Sequence, residues 1–464
     1  MNLALPTDET IAAIATAISA GQGGIAVVRI SGPEALSIGQ SIVFVPGVKL
    51  WESHTVLYGH VMNEQNNERI DEVLILTMKA PRSFTGEDVV EIHCHGGLIT
   101  VQRVLERVLA HPDARRAMPG EFSQRAVLNG RLDLTQAEAL SALIGARSKK
   151  AAQLAMTGLD GGIQQRISAL REDLLDQLSE LEARVDFEDE LPPLKGPDVL
   201  NKLLKVQAEL QILIEDAKRG AFLNQGLRIA LIGCPNVGKS SLLNRLSRRE
   251  RSIVSDLPGT TRDLLESEIL LEGIPITLID TAGVRVTNDE IEKLGIKRSQ
   301  EALISADVVL LVFDLSLGWN HNDQALLAHI PKDVPILLVG NKADIKNKAN
   351  LPQHNLNIEE READVSFSAK TGEGEEALVH ALLNICGAHE TQGIEIALNE
   401  RQRDLAAIAV TALERIKEVS NQKLPWDFWT IDLREAIQSL GEITGHEITE
   451  AVLERIFSRF CIGK

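Results

Sequence analysis

Ile229-Ala-Leu-Ile-Gly-Cys-Pro-Asn-Val-Gly-Lys-Ser-Ser-Leu-Leu-Asn-Arg-Leu246 is the stretch that decides the fold class. Gly233–Ser240 matches GxxxxGK[ST], directly after the apolar run Ile229–Ile232 and directly before the helical run Ser241–Leu246. Strand, glycine loop, then helix is the context this pattern requires. Glycines let backbone N–H groups curl around an anion, and the helix N-terminus adds partial positive charge. The loop is therefore expected to cradle phosphates, with Lys239 against the β- and γ-phosphates and the Ser240 hydroxyl on Mg²⁺.

Downstream, Ile276–Ile279, Val308–Phe313 and Ile336–Val339 are further short apolar runs separated by helical patterns. Continuous apolar strands alternating with helices predict a mostly parallel sheet covered on both faces. Asp280-Thr-Ala-Gly283 follows the second run, where a carboxylate can hold the metal through water and Gly283 N–H can meet the γ-phosphate. Thr260 and Thr261 lie between these motifs, and either fits as a second Mg²⁺ hydroxyl by spacing. Asn341-Lys-Ala-Asp344 follows the fourth run. The Asp344 carboxylate can accept from both N1–H and the exocyclic amine of guanine. Adenine lacks that donor pair, and such a polar site discriminates by roughly 10⁴–10⁵. Ser368-Ala-Lys370 adds a backbone contact to the guanine oxygen. Four motifs in this order predict a P-loop GTPase domain over 227–387.

Two features bear on mechanism. Val284 stands where Ras-like enzymes place a water-orienting glutamine, which leaves Arg285, Asp289, Glu290 and Glu292 as nearby polar candidates. Asn236, inside the loop, carries a side-chain carbonyl that can hold a monovalent cation beside the phosphates or hydrogen-bond the loop. A cation there would replace the charge that an arginine finger supplies elsewhere, worth about 10³–10⁵ in rate.

The 464 residues point to about three domains. Residues 1–125 mix β-type runs (Gly24–Ile30, Val73–Met78, Val89–His93) with one helical run, Ile99–Ala110, and read as an α+β domain. Residues 126–226 are helical, with Ile163, Ile167, Leu170, Leu174, Leu178 and Leu181 in one stripe broken by Pro192 and Pro193. Helical patterns return over 388–464, at Asn399–Val419, Asp432–Gly441 and Thr449–Phe460. The expected architecture is thus multidomain, with the α/β GTPase domain inserted between two parts of an all-α domain. Separate helical domains on either side are the alternative.

A net charge of −18 repels phosphate backbones at long range. RNA contact would need a local patch such as Arg245, Arg248, Arg249 and Arg251, or a basic partner; otherwise that run is a solvated helix end. Cys94, Cys234, Cys386 and Cys461 lack CxxC spacing, which suggests a reducing compartment. No apolar run approaches the roughly 20 residues of a membrane span, and MNLALPTDET has no basic region ahead of its apolar residues. A cytoplasmic protein without membrane insertion is expected. Glu91, His93 and His95 alternate on one strand face, which fits a metal site, ordinary polar packing or a small-ligand pocket.

Beyond the nucleotide motifs, the chain resembles the MnmE (TrmE) family of tRNA-modification GTPases. The resemblance rests on Gly23-Gly-Ile-Ala-Val-Val-Arg-Ile-Ser-Gly32, Phe84-Thr-Gly-Glu-Asp-Val-Val-Glu-Ile-His-Cys-His-Gly-Gly97, Pro119-Gly-Glu-Phe-Ser123, Leu132-Asp-Leu-Thr-Gln-Ala-Glu-Ala139, Pro235–Asn244 and the terminal Phe460-Cys-Ile-Gly-Lys464. It implies a homodimer through a tetrahydrofolate-binding-like N-terminal domain that takes formyl-tetrahydrofolate as one-carbon donor. It also implies an MnmG-like, flavin- and NADH-using flavoprotein that forms a heterotetramer with the chain. Together they would place an aminomethyl-type group on C5 of the wobble uridine of certain tRNAs, with a G-domain cycle activated by potassium. Nucleotide contacts are implied for Asn236, Val237, Gly238, Lys239, Ser240 and Ser241, and for Ser255, Asp256, Leu257, Pro258, Gly259, Thr260 and Thr261. Asp280, Thr281, Ala282, Gly283, Asn341, Lys342, Asp344, Ser368, Ala369 and Lys370 complete that set. The potassium ion falls to Asn236, Ser255, Leu257 and Thr260, and the magnesium ion to Ser240 and Thr261. Folate contacts map to Arg29, Glu91, Arg131 and Lys464, and catalytic roles to Glu292, Lys239 and Cys461. Bottom-up, Cys461 reads equally well as a small buried hydrophobe.

Overall fold

The computed structural model describes residues 9–18, 23–47, 50–186, 196–249, 265–280, 303–346, 361–387, 393–422, 424–446 and 449–463. The chain forms two compact units. One comprises Met1–Ser141, Leu159–Val206 and Ile408–Lys464, the other Ala142–Gly158 and Gln207–Ala407.

In the first unit, β1 (Thr10–Ile14), β2 (Ile25–Ser31), β3 (Val43–Phe44), β4 (Thr55–Met62), β5 (Arg69–Met78), β6 (Val89–His95) and β7 (Ala114–Arg116) form one sheet. Its order is β3-β4-β5-β6-β2-β1-β7. Every neighbouring pair is antiparallel except β1–β7. Period-two alternation explains its sidedness: along β5, Val73 and Ile75 are buried whereas Leu74 faces outward. Helices α1 (Ala35–Ile42) and α2 (Leu98–Leu109) cover the inner face, packing Ile38, Val101, Val104 and Val108 with Val28, Ile30, Ile75 and Ile92. The helical signal at Ile99–Ala110 is α2; β1, β3, β4 and β7 were not anticipated.

Helices α3 (Glu121–Leu128), α4 (Leu134–Gly145), α5 (Lys149–Leu159), α6 (Gly162–Asp186) and α7 (Gly196–Gln225) follow in the chain. The six apolar residues of the α6 stripe are buried as their spacing predicts. Pro192 and Pro193 lie outside the described residues.

The second unit carries β8 (Leu227–Gly233), α8 (Lys239–Arg249), β9 (Leu265–Leu271), β10 (Ile274–Asp280), β11 (Val308–Asp314), α9 (His321–Ala328), β12 (Ile336–Asn341), α10 (Ala343–Lys346), β13 (Val365–Ser366) and α11 (Glu375–Ile385). Strand order is β13-β12-β11-β8-β10-β9. All pairs are parallel except the edge pair β10–β9. Every residue of β11 is buried, as a strand covered on both faces requires. Ile229 and Leu231 face one apolar cluster with α8 and α11 residues, and Ala230 and Ile232 face the other. This is the mostly parallel α/β domain read from the motifs. Last come α12 (Glu400–Asn421), α13 (Trp426–Thr444) and α14 (Glu450–Phe457).

Candidate functional site

Three of the four nucleotide motifs converge at the carboxyl ends of parallel strands, where open α/β sheets bind ligands. The P-loop leaves β8 at Gly233 and enters α8 at Lys239. Asn236 sits at φ +65°, inside the sharp bend of the loop. Gly238 has φ +97°, and a Cβ there would stand 2.3 Å from Asn341 Nδ2, so only glycine fits. The Lys239 ammonium donates to the carbonyls of Gly233 at 2.6 Å and Cys234 at 3.0 Å, across the mouth of the loop.

Asn341, at the end of β12 and 2% exposed, is the joint between motifs. Its Nδ2 donates to the Val237 carbonyl at 2.7 Å, and its Oδ1 accepts the Ala369 N–H at 3.0 Å. One buried amide therefore ties the phosphate loop to the Ser368–Lys370 loop. The buried Ser368 hydroxyl donates to Asp344 Oδ1 at 2.8 Å, orienting the proposed base reader. Lys342, at φ +64°, donates its ammonium to Asp314 at the end of β11. Burial would raise the Asp314 carboxyl, but hydrogen bonds from Lys342 and Ser316 outweigh it and hold the group below its ordinary range. Asp280 closes β10, beside Leu231 of β8 in register.

Thr281, Ala282 and Gly283 lie outside the described residues, as do Ser255, Asp256, Leu257, Pro258, Gly259, Thr260 and Thr261. So do Val284, Arg285, Asp289, Glu290 and Glu292. One feature beside the loop was missed in the sequence. Asp323, fully buried in the capping box of α9, accepts the Cys234 thiol at 3.3 Å. Burial, then the Asp323 charge, pushes that thiol up to about 11, so the Cys234 thiol keeps its proton near neutral pH and donates it to Asp323. An Asp in the first turn of a short helix reads in the sequence as a cap and carries no signal for such a contact.

The first unit holds the second group of expected residues. Arg29 on β2 and Glu91 on β6 are cross-strand partners, joined at 2.8 Å. The Arg29 guanidinium also lies 5.4 Å from the Phe84 ring centroid and 5.6 Å from that of Phe122. These two rings were not singled out, although both lie in stretches that carry the family resemblance. Beside them Arg125, 5% exposed, pairs with Glu87 at 3.1 Å and with Glu121 at 3.6 Å. Burial pushes the Glu121 carboxyl up, yet hydrogen bonds from Arg115 and Met118 N–H bring it below its ordinary range.

The chain terminus docks on this unit. Phe457 packs with Leu134, Ala137 and Leu453, and Phe460 borders the same cluster. Gly120 N–H then donates to the Cys461 carbonyl at 3.3 Å, and Pro119 and Ile462 form an antiparallel bridge. Arg29 Nη1 reaches the Gly463 carbonyl at 3.5 Å. The tail thus runs beside the Arg29–Glu91 pair with the Cys461 side chain exposed; Lys464 lies outside the described residues. Arg131 is exposed on the turn after α3, and no hydrogen bond or ion pair joins it to Arg29 or Glu91 among the described residues. Within the alternating trio on β6, Glu91 holds Arg29 and lies 3.4 Å from His93 Nε2, while His95 holds Asp71 at 2.7 Å. No cluster of three His, Cys, Asp or Glu able to hold a metal occurs among the described residues.

Residues 10–131 match the family described as GTP-binding protein TrmE N-terminus, and residues 134–461 match the MnmE helical domain. The tRNA modification GTPase MnmE of Prochlorococcus marinus (strain MIT 9303) is 68% identical over 464 residues, covering 100% of both chains. Its namesake from Synechococcus sp. (strain CC9902) is 65% identical over 460 residues, covering 99% of this chain and 100% of its own. Among solved structures, the G domain of the T. maritima FeoB iron transporter is 29% identical and covers 34% of this chain and 98% of its own, with a TM-score of 0.26. With both ends of the chain matched and full-length identity this high, the chain belongs to the MnmE family.

Proposed function

We propose that this chain hydrolyses GTP and that its nucleotide cycle serves the modification of tRNA. The observation that carries the first half is the Asn341 joint, which locks the phosphate loop and the base-reading loop into one buried hydrogen-bonded unit. The full-length likeness to proteins named tRNA modification GTPases supports the second half. Lys239 and the N–H groups of Asn236–Ser241 hold the phosphates, and Asp344 reads the guanine edge while Ser368 and Ala369 brace it. A magnesium ion suits Ser240 in the first turn of α8, with Thr261 as its second hydroxyl. A potassium ion suits Asn236, whose backbone turns sharply in the loop, with Ser255, Leu257 and Thr260 as the family resemblance suggests. Such a cation would supply positive charge beside the phosphates, and Glu292 would orient the water.

In the first unit, a guanidinium near two aromatic rings and paired with a carboxylate suits a flat, polar-edged ligand of the folate class. Arg29, Glu91, Arg131 and Lys464 would hold formyl-tetrahydrofolate, and Cys461 would present its thiol from the docked tail. The further reading is a homodimer working with an MnmG-like flavoprotein on C5 of the wobble uridine. Segments 1–125, 126–226, 227–387 and 388–464 would serve as its folate-binding, helical, GTPase and second helical parts. Among the described residues no helix is long and apolar enough to cross a membrane.

Phosphate release from GTP by the wild type, and tRNA nucleoside mass spectrometry from a deletion strain, test the two halves. Asp344→Asn should weaken GTP binding and favour xanthosine triphosphate, whose C2 oxo group accepts from the new amide. Unchanged GTP affinity in that variant removes Asp344 as the base reader.

A further inference from the structure

Arg245 has a place that neither a solvated helix end nor a basic RNA patch describes. It lies on α8, whose first residue is Lys239, and its side chain reaches the loop after Ser368-Ala-Lys370. Arg245 Nε donates to Glu375 Oε2 at 2.8 Å, at the start of α11. Its guanidinium lies flat against Gly372: a Cβ on that glycine would stand 1.9 Å from Nη2 and 2.5 Å from Cζ. Gly372 also has φ +88°, a backbone conformation that suits glycine, and the close approach shows how tightly the guanidinium is seated there.

Gly372 closes a tight turn over Ser368. Its N–H donates to the Ser368 carbonyl at 2.8 Å, and the Ser368 N–H donates to the Glu373 carbonyl at 2.9 Å. The Ser368 hydroxyl accepts the Thr371 N–H at 3.2 Å and donates to Asp344 Oδ1 at 2.8 Å. Any shift of the turn therefore moves the hydroxyl that orients Asp344.

We infer that Arg245 is a positioning residue for guanine recognition, clamping the turn that carries Ser368 onto the helix that carries Lys239. The inference rests on the guanine-nucleotide reading of the site. Arg245 touches no reacting atom; it acts through Gly372 and Glu375. Asn341 braces the same loop from the core side at Ala369, so Arg245 is the outer of two braces, and its loss loosens the base reader without collapsing the phosphate loop. The side chains of Arg245 and Glu375 are 35% and 16% exposed. An ion pair this open contributes little stability by itself, so its effect is on loop geometry. Lysine retains the charge but lacks the flat face that lies on Gly372.

The test measures GDP and IDP affinities of the full chain by displacement of a fluorescent GDP analogue, beside kcat and KM for GTP. IDP lacks the exocyclic amine that Asp344 reads. Arg245→Ala should weaken GDP by about fivefold, near the upper limit for a partly exposed pair, and IDP by less. The GDP-over-IDP preference therefore shrinks, and KM rises while kcat holds within about twofold. Glu375→Gln should move in the same direction, and Arg245→Lys should recover only part of the preference. If Arg245→Ala lowers the melting temperature but keeps the full GDP-over-IDP preference, Arg245 is merely structural and the inference is overturned. A wild type that binds ADP as well as GDP overturns the guanine reading instead, and the inference with it.

Discussion

Asn341→Ala isolates the joint between the phosphate and base loops. The side chain is 2% exposed and makes two hydrogen bonds, to the Val237 carbonyl and from the Ala369 N–H. Truncation leaves that carbonyl and that N–H without partners. Each orphaned buried group costs about 1–3 kcal/mol, so the two together cost about 2–6 kcal/mol. Without nucleotide, the loops can relax and rehydrate these groups. Binding must restore the alignment, so much of the cost appears as lost affinity. At about 1.4 kcal/mol per tenfold, the lower end of that cost corresponds to GDP binding roughly 30-fold more weakly where it appears in full. The assay is direct titration of a fluorescent GDP analogue, with ADP as control and circular dichroism to confirm folding. Asn341→Asp keeps the acceptor for Ala369 but sets a carboxylate against the Val237 carbonyl, so it should bind little better than Asn341→Ala. A folded Asn341→Ala protein with GDP affinity within threefold of wild type would refute the claim that this amide joins the two loops functionally.

Phe457, 1% exposed with its ring centroid 5.1 Å from that of Phe460, anchors the tail; Phe457→Ala should cost about 3–5 kcal/mol locally. Hydrogen exchange at Gly120 and Ile462 should then accelerate, whereas protected amides there would mean the tail is held by other contacts. Cys461→Ser should fold and hydrolyse GTP normally but fail to complement tRNA modification; full complementation makes the thiol structural. The hydrogen bond to Asp71, then its charge, raises the His95 pKa above the ordinary 6.5. The stability that His95 contributes is thus complete below about pH 6.5 and is lost as pH rises through the raised value. An NMR titration of the His95 ring should give a midpoint above 6.5 that falls on Asp71→Asn; a midpoint insensitive to that change removes Asp71 as the cause.

The order of the motifs, the apolar β8, β10, β11 and β12 runs and the α6 stripe were legible because each is a local pattern whose period matches the element that it forms. β9 escaped notice because Leu265-Glu-Ser-Glu-Ile-Leu-Leu271 is a half-buried edge strand that pairs antiparallel with β10, so its apolar residues are interrupted. The N-terminal sheet was read only in part: β3 and β7 are two and three residues long and depend wholly on their neighbours for pairing, while β1 and β4 were missed although they are five and eight residues long. The residue types at the nucleotide site were likewise readable one by one, but not their partners. That Asn341 spans 104 positions to Val237, and Arg245 spans 130 to Glu375, follows from how the strands are ordered and how the helices cover them.

The amino-acid sequence by itself determined the chemistry available to this protein: a glycine loop for phosphates, a carboxylate after an apolar strand for the base, a cysteine near the terminus. Tertiary structure decided which of those groups meet. It brought Arg29 within reach of the Phe84 and Phe122 rings, laid the tail beside it, and turned Arg245 to the turn over Ser368. The reason is that local patterns are set by backbone sterics and periodic burial within one element. Contacts between distant side chains depend instead on the order in which strands join a sheet and on which helix faces are left to cover it.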